Sequence, residues 1–160
     1  MHGQAPLPEL TEGPGFPYLL AIHRVLFRAV YSWAGAVREV DLSKRGSRFA
    51  SWRLIEQEGA KLSAMRAGER WLAELPTDRF VERIAWYMGE LNVLHPFRDG
   101  NGRALREYVR NLAERVGHPL TWKGVPTDKI LAASVATFRD DIALLSTSLQ
   151  RQIEITRRNE

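Results

Sequence analysis

His95, Asp99, Arg103 and Arg106 stand within one stretch of twelve residues that also holds Gly100, Asn101 and Gly102. The set comprises a proton acceptor, a carboxylate, a carboxamide, two positions without Cβ and two guanidinium groups, and it suits phosphate chemistry. Neutral imidazole, with an ordinary pKa of about 6.5, takes the proton of an attacking hydroxyl near physiological pH. A single carboxylate beside a polyphosphate is the usual protein share of a Mg²⁺ site, the other ligands being phosphate and water oxygens. Arg103 and Arg106, three positions apart, share a helix face and can fork onto successive phosphate oxygens through charge-assisted bonds. Gly100 and Gly102 let backbone N–H groups come close to an anion.

Residues of this kind need a loop between two helices to bring them together. One apolar helical pattern, Phe80, Val81, Ile84, Tyr87, Met88 and Leu91, stops at Asn92, and a second begins at Gly102 with Leu105, Val109, Leu112 and Val116. The loop feeds the first turn of the second helix, whose unpaired N–H groups and macrodipole favour an anion by up to about 2 kcal/mol when partly buried. Taken singly, the residues read more plainly. A histidine before proline is a loop histidine, Asp-Gly-Asn-Gly is a turn, and arginines three apart line a solvated face. Rival motifs fail on spacing: Asp99 to Gly102 lacks the later glycine and closing glutamate of a calcium loop, GxxxxGK[ST] is absent, and Gly100-Asn101-Gly102 lacks the third glycine of a dinucleotide fingerprint.

The joint pattern His95-Pro96-Phe97-Arg98-Asp99-Gly100-Asn101-Gly102-Arg103-Ala104-Leu105-Arg106 resembles the signature of the Fic family, HPFx(D/E)GNGRxxR, with every fixed position filled. Tyr31-Ser32-Trp33-Ala34-Gly35 is similar to the family's Tyr-x-Trp-Ala-Gly segment, an independent match. The resemblance covers Pro17 to Gly117 and is looser beyond. It implies an all-α, Fic-type helical bundle with one small β-hairpin flap. It also implies protein adenylylation, in which AMP moves from ATP to a Tyr, Thr or Ser hydroxyl of a target protein and pyrophosphate leaves. On that resemblance His95 is the base and Asp99 the Mg²⁺ ligand. Gly100, Asn101 and Gly102 form the anion hole, with Asn101 reaching the α-phosphate; Arg103 and Arg106 hold the outer phosphates, and Phe97 anchors the loop in the core. Gly102 favours the AMP-transferring branch, because the related death-on-curing branch carries lysine there and phosphorylates. Some relatives use UTP or other diphosphate donors, so another nucleotide stays open as an alternative.

At 160 residues the chain is expected to be one domain, an extended leader over 1–16 and a core over 17–155. Four prolines and three glycines between Met1 and Pro17 disfavour regular structure there. From Pro17, Leu19, Ile22, His23, Leu26, Phe27, Val30 and Tyr31 repeat at helical spacing, with His23 read as a hydrogen-bonded core residue rather than a metal ligand. Val37–Leu42 and Arg48–Ala50 flank Ser43–Ser47 as a short hairpin. In the family this is the flap, and its residues Lys44, Arg45, Gly46, Ser47, Arg48 and Phe49 are expected to dock a target segment on an exposed strand edge. Ser51 and Thr77 read as helix caps, and Thr127 or Asp128 as the cap of one last long helix through Ile130, Phe138, Ile142 and Leu145. Trp52, Trp71 and Trp86 read as core or groove walls.

Hydrophobic residues make up 44% and charged residues 26%, with no apolar run near the roughly 20 residues of a membrane span. No secretory signal is visible, and the expected location is cytoplasmic or, after delivery, a host cytosol. With no cysteine, disulfides, thiol catalysis and cysteine zinc sites are excluded. The net charge of +4 and a pI near 9.8 admit a basic nucleic-acid-binding or scaffold module as the alternative class, but the arginines are scattered rather than clustered. Fic proteins are commonly inhibited by a helix bearing (S/T)xxxE(G/N), whose glutamate pairs with the second signature arginine, here Arg106. Glu12-Gly13 and Glu58-Gly59 lack the preceding Ser or Thr, and Thr156 to Glu160 lacks the final residue. The resemblance therefore implies a small antitoxin partner that supplies the helix in trans, with Thr156 and Glu160 as the internal alternative.

Overall fold

The structure, a computed structural model, describes residues 14–44 and 46–160. The expected leader up to residue 13 and Arg45 of the flap lie outside the described residues. Elements follow in the order α1 (Phe16–Phe27), β1 (Ser43–Lys44), β2 (Ser47–Arg48), α2 (Ile55–Gly68), α3 (Thr77–Leu94), α4 (Asn101–Arg115), α5 (Thr127–Ala136) and α6 (Ala143–Arg158). An all-α bundle with one hairpin is what the sequence pattern predicts.

The bundle is built around α3. Phe80, Val81, Ile84, Tyr87, Met88, Leu91 and Leu94 are buried on it, and α2, α4 and α6 pack against it. Three-and-four spacing puts these side chains on one broad stripe, which buried Ala85 and Gly89 widen, as suits a central helix. Each large apolar side chain so buried stabilises the fold by about 1.5–3 kcal/mol. On the far side of α4, α1 contributes Leu19, Ile22 and Phe27 to the same core. The α3–α4 loop is thereby held between α1 and the hairpin.

Several expectations are corrected. Helix α1 stops at Phe27 rather than Tyr31; Val30 is 69% exposed, and Tyr31 turns toward the motif loop instead of the core. The strands lie mostly inside the stretch expected to be the turn, pairing Ser43 with Arg48 and Lys44 with Ser47, and upstream Arg38 is buried beneath the motif loop. Ser51, Thr77 and Thr127 make no side-chain cap bonds. Asp41 Oδ1 accepts the Trp52 N–H at 2.9 Å in place of a Ser51 cap, while extended Pro76 and Pro126 take the cap positions and push each threonine into the first turn. The last long helix is two helices, broken where Asp140 adopts left-handed φ of 56°. Asn92 of α3 reaches that break, its amide donating to Ser134 O at 3.0 Å and Thr137 Oγ1 at 2.9 Å, and α6 then folds back onto α3. The expected stop of α4 at Gly117 agrees with the observed end at Arg115 and the Gly117 φ of +86°.

Candidate active site

His95 ends α3. It takes a left-handed conformation, φ 48° and ψ 65°, and its N–H donates to Leu91 O at 3.0 Å, so the chain turns away from the helix axis at the residue that carries the imidazole. The ring lies flat on Phe49, with centroids 3.6 Å apart and planes 5° from parallel. Its Nδ1 is buried without a hydrogen-bond partner, which leaves Nε2 as the nitrogen that reaches the cavity in front. Burial, then the cations Arg38 and Lys44, push its pKa down to about 4; Asp99 and the Asn92 carbonyl act weakly the other way, the latter short of hydrogen-bond geometry. The ring is neutral at physiological pH.

Phe97 follows, with 0% exposure, and its ring stacks on His23 at 3.7 Å, so it is the core anchor the sequence suggested. His23 does more than fill the core. The Gly35 N–H donates to His23 Nδ1 at 2.9 Å, which fixes the proton on Nε2, and Nε2 donates to the Asp99 carbonyl at 2.9 Å. Burial lowers the pKa of His23 and keeps this neutral tautomer.

Asp99 is exposed, and both carboxylate oxygens are oriented: Tyr31 O–H donates to Oδ2 at 2.7 Å and Gly100 N–H to Oδ1 at 2.8 Å. These two bonds, in that order, hold its pKa below the usual carboxylate value. Asn101 is engaged by the loop itself. Its Oδ1 accepts the Phe97 N–H at 2.9 Å and its amide donates to Phe97 O at 2.7 Å, so the side chain closes the loop on itself and only the second amide hydrogen is left for a ligand.

Gly100 precedes α4 with φ +77°, and a Cβ there would lie 2.6 Å from two carbons of the Phe27 ring. The first backbone bond back along α4 is Ala104 N–H to Gly100 O at 3.1 Å, so the amides of Asn101, Gly102 and Arg103 have no helical carbonyl to donate to. Arg103 is exposed, its guanidinium 5.5 Å from the Phe27 centroid. Arg106 is half-buried; burial, and next the Arg103 charge, work against its own charge, and it has no carboxylate partner among the described residues. A Cβ at Gly102 would come within 3.1 Å of Arg106 Nη1, so a side chain at 102 crowds that guanidinium and the Arg106 tip must shift by a few tenths of an ångström to admit even a Cβ.

A cavity of about 320 Å³ is lined by His95, Arg98, Asp99, Gly100, Asn101 and Gly102 on one wall and by Ser43, Lys44 and Phe49 of the flap on the other, while Arg103 and Arg106 stand outside its lining. Lys44 and Phe49 are thus placed at the site, while Gly46, Ser47 and Arg48 lie farther along the hairpin and off the cavity wall. A larger cavity of about 510 Å³ between the α4–α5 connection and α6 contains none of the motif residues. Thr156 bonds within α6, to Gln152 O at 2.8 Å, and neither it nor Glu160 pairs with Arg106.

Sequence reasoning missed Arg38. It is 1% exposed and its guanidinium donates to His95 O at 2.7 Å, Leu94 O at 3.1 Å, Val40 O at 2.7 Å and Ala50 O at 2.6 Å. No periodicity or motif marks it. Tyr31 had a signal, since it opens the Tyr-x-Trp-Ala-Gly segment, but its bond to Asp99 was not legible.

Fold and site together define a helical bundle whose α3–α4 loop runs into the free amides of the first turn of α4, with a neutral imidazole at one edge and a hairpin across it. A family model described as Fic/DOC matches residues 16–113. Over 136 residues the chain is 38% identical to protein adenylyltransferase VbhT of Bartonella schoenbuchensis, spanning 85% of this chain and 28% of that protein. Over 146 residues it is 38% identical to the probable protein adenylyltransferase Fic of Salmonella typhimurium, covering 91% of this chain and 73% of the relative. Among solved structures, the BepC protein of Bartonella tribocorum, a VirB-translocated effector with bound AMPPNP, superposes with a TM-score of 0.83 at 23% identity, over 94% of this chain and 77% of that one. The type IV secretion system effector protein BepA gives 0.78 at 28% identity over 89% and 52%. The chain belongs to the Fic/DOC family.

Proposed function

We propose that this chain transfers AMP from ATP to a hydroxyl side chain of a protein target and releases pyrophosphate. The observation that carries the reading is a neutral His95 whose accessible nitrogen shares one cavity with Asp99 and the first turn of α4. The names of the two 38% identical relatives support the same reaction. The target oxygen bonds to the α-phosphorus, the bond from that phosphorus to the α–β bridging oxygen breaks, and the hydroxyl proton goes to His95 Nε2. A base of pKa about 4 is weak, and the nucleotide's negative charge beside the ring would raise it toward a more useful value. The free amides of Asn101, Gly102 and Arg103 meet charge that develops on the α-phosphate oxygens, and the guanidinium groups of Arg103 and Arg106 hold the outer phosphates.

The donor set fits Mg²⁺. Asp99 is ionised, solvent-facing and oriented through both oxygens, and no cluster of three metal-binding side chains exists among the described residues, so phosphates and water would complete the shell. The ion would neutralise phosphate charge. The protein's own share is to hold the Asp99 carboxylate in place through Tyr31 and Gly100.

The flap would pair with an extended segment of the target and bring its hydroxyl to His95, with Lys44 and Phe49 on the cavity wall and Gly46 to Arg48 along the hairpin. The whole chain acts as one domain in this reading, with its core over residues 17–155. Regulation would come from a small antitoxin partner, since the Arg106 guanidinium lacks a carboxylate among the described residues. No described helix is long and apolar enough to cross a membrane, and the reaction needs a compartment that supplies ATP and Mg²⁺, the cytoplasm or a host cytosol. The test is intact-mass analysis of a lysate incubated with the protein, Mg²⁺ and ATP. One AMP should be gained by a target, and His95→Ala should slow that gain by about 10²–10⁴-fold while ATP still binds. A variant as active as wild type removes His95 from the role of base.

A further inference from the structure

Helix α3 ends with carbonyls that no later turn can satisfy, and its last turn contains no basic residue of its own. Four successive carbonyls there are taken by the two stems of the flap. Val93 O accepts the Ala50 N–H at 3.1 Å, Leu94 O and His95 O accept the Arg38 guanidinium at 3.1 and 2.7 Å, and Pro96 O accepts the Arg38 N–H at 2.9 Å. The same guanidinium reaches outward to Val40 O at 2.7 Å and Ala50 O at 2.6 Å, one on each side of the hairpin. At 1% exposure Arg38 has no carboxylate partner among the described residues; its charge rests on carbonyl dipoles at the negative end of α3, and the nearby Asp41 charge favours it. Burial of a guanidinium without an ion pair is expensive and persists only where its hydrogen bonds are geometrically complete.

We propose that Arg38 is a positioning residue that locks the flap to the end of α3, so that the strand edge and the imidazole of His95 keep a fixed register. Phe49, on the downstream stem, carries the same coupling to the ring by lying flat on His95. The consequence rests on the transfer reaction proposed above: a target segment paired with the flap presents its hydroxyl at a distance from the base that Arg38 sets. A flap attached through its own short strands alone would move independently of the base, since the two strands hold only two residues each.

Arg38→Met removes charge and donors together, and Arg38→Lys keeps the charge but lacks the planar fork. Thermal unfolding first establishes that each variant folds; if the Met variant does not, Arg38→Lys and Arg38→Gln decide. Amide hydrogen exchange in the free protein should rise by about tenfold or more across Asp41–Ala50 in every folded variant, with the core of α3 and α4 unchanged. The groups facing the His95 ring are Arg38, Lys44, Asp99 and the Asn92 carbonyl. Its proton NMR titration should therefore move up from a midpoint of about 4 in Arg38→Met and stay in Arg38→Lys. AMP transfer should fall in both variants while ATP affinity holds. Flap exchange equal to wild type in a folded variant, or a loss of protection spread evenly through the bundle, overturns the proposal. Exchange and titration need no substrate, so a wild-type protein that transfers no AMP would refute the reaction and leave this result readable.

Discussion

Gly100→Ala tests how tightly the motif loop is built. Two costs add at this position. The residue has φ of +77°, where a Cβ costs about 1–2 kcal/mol against the following carbonyl. The same Cβ would sit 2.6 Å from Phe27 Cε2 and Cζ and 3.2 Å from Cδ2, well inside contact distance. Phe27 has nowhere to go: it is 8% exposed, with His23 at 4.7 Å, Tyr31 at 5.6 Å and the Arg103 guanidinium at 5.5 Å around its ring. Forcing a methyl into such packing costs about 1–3 kcal/mol. The variant should therefore lose about 2–5 kcal/mol in urea unfolding, read from the midpoint at constant slope. A double-mutant cycle separates the two parts. Phe27→Leu removes the atoms that clash, so the pair should be less destabilised than the sum of the singles by about 1–2 kcal/mol, the backbone cost remaining. A loss under about 1 kcal/mol for Gly100→Ala, or strict additivity with Phe27→Leu, would refute this account of the loop.

Tyr31→Phe should leave the fold intact but raise the Mg²⁺ concentration needed for ATP binding by roughly tenfold, as expected when a ligating carboxylate loses its orienting partner; calorimetric titration of ATP at graded Mg²⁺ reads it, and an unchanged requirement counts against Asp99 as the ligand. Gly102→Lys should fold, because residue 102 is exposed and its neighbour is a flexible arginine tip, yet abolish AMP transfer by displacing Arg106. Retained transfer in that variant would contradict the role given to Arg106. Acid should destabilise the protein in a defined window. His95 (about 4) and His23 (lowered) both have folded pKa values below the ordinary 6.5, so the unfolded chain binds more protons and stability falls as pH drops from 6.5 toward 4. The slope is at most about 1.4 kcal/mol per pH unit for each histidine, less for the partly solvated His95 ring. His95→Asn should flatten it in pH-resolved urea melts, and an identical slope would mean the ring is not depressed.

The site was legible in the sequence where chemistry depends on residue type and short spacing, and illegible where it depends on a partner far along the chain. Types and order from His95 to Arg106 gave the imidazole, the oriented carboxylate and the helix N-terminus, all now found in one cavity. The contacts that hold them there join residues 57, 68 and 76 positions apart, Arg38 with His95 O, Tyr31 with Asp99 and His23 with Asp99 O, and nothing local encodes such separations. The family resemblance assigned Asn101 to the α-phosphate; its side chain also matches the Phe97 backbone four residues back, a local bond that an Asx-type reading would have found. The two threonine caps failed for one repeated reason. Both Pro76-Thr77 and Pro126-Thr127 put an extended proline at the boundary, and the threonine then enters the first turn, where its hydroxyl no longer faces the free amides. The break between α5 and α6 carried a signal that periodicity hid, the pair Asp140-Asp141, one in left-handed φ and the other accepting the Ala143 N–H at 3.0 Å.

What the missed contacts share is that each fixes the loop without any ligand. His23 holds the Asp99 carbonyl, Asn101 binds both polar groups of Phe97, Phe27 fills the space behind Gly100, and Arg38 caps the helix end that carries His95. A loop rich in glycine would otherwise spend binding energy on becoming ordered, at roughly 1–2 kcal/mol per residue. Here that cost falls on folding, and the first turn of α4, with its free amides, borders the cavity before an anion arrives. Such preorganisation strengthens interactions with charge that appears only in the transition state, because nothing need reorient as it forms. It also explains why Gly100 sits against a bulky aromatic ring. The freedom that Gly100 lends the backbone is used to reach one conformation, and Phe27 then removes the alternatives.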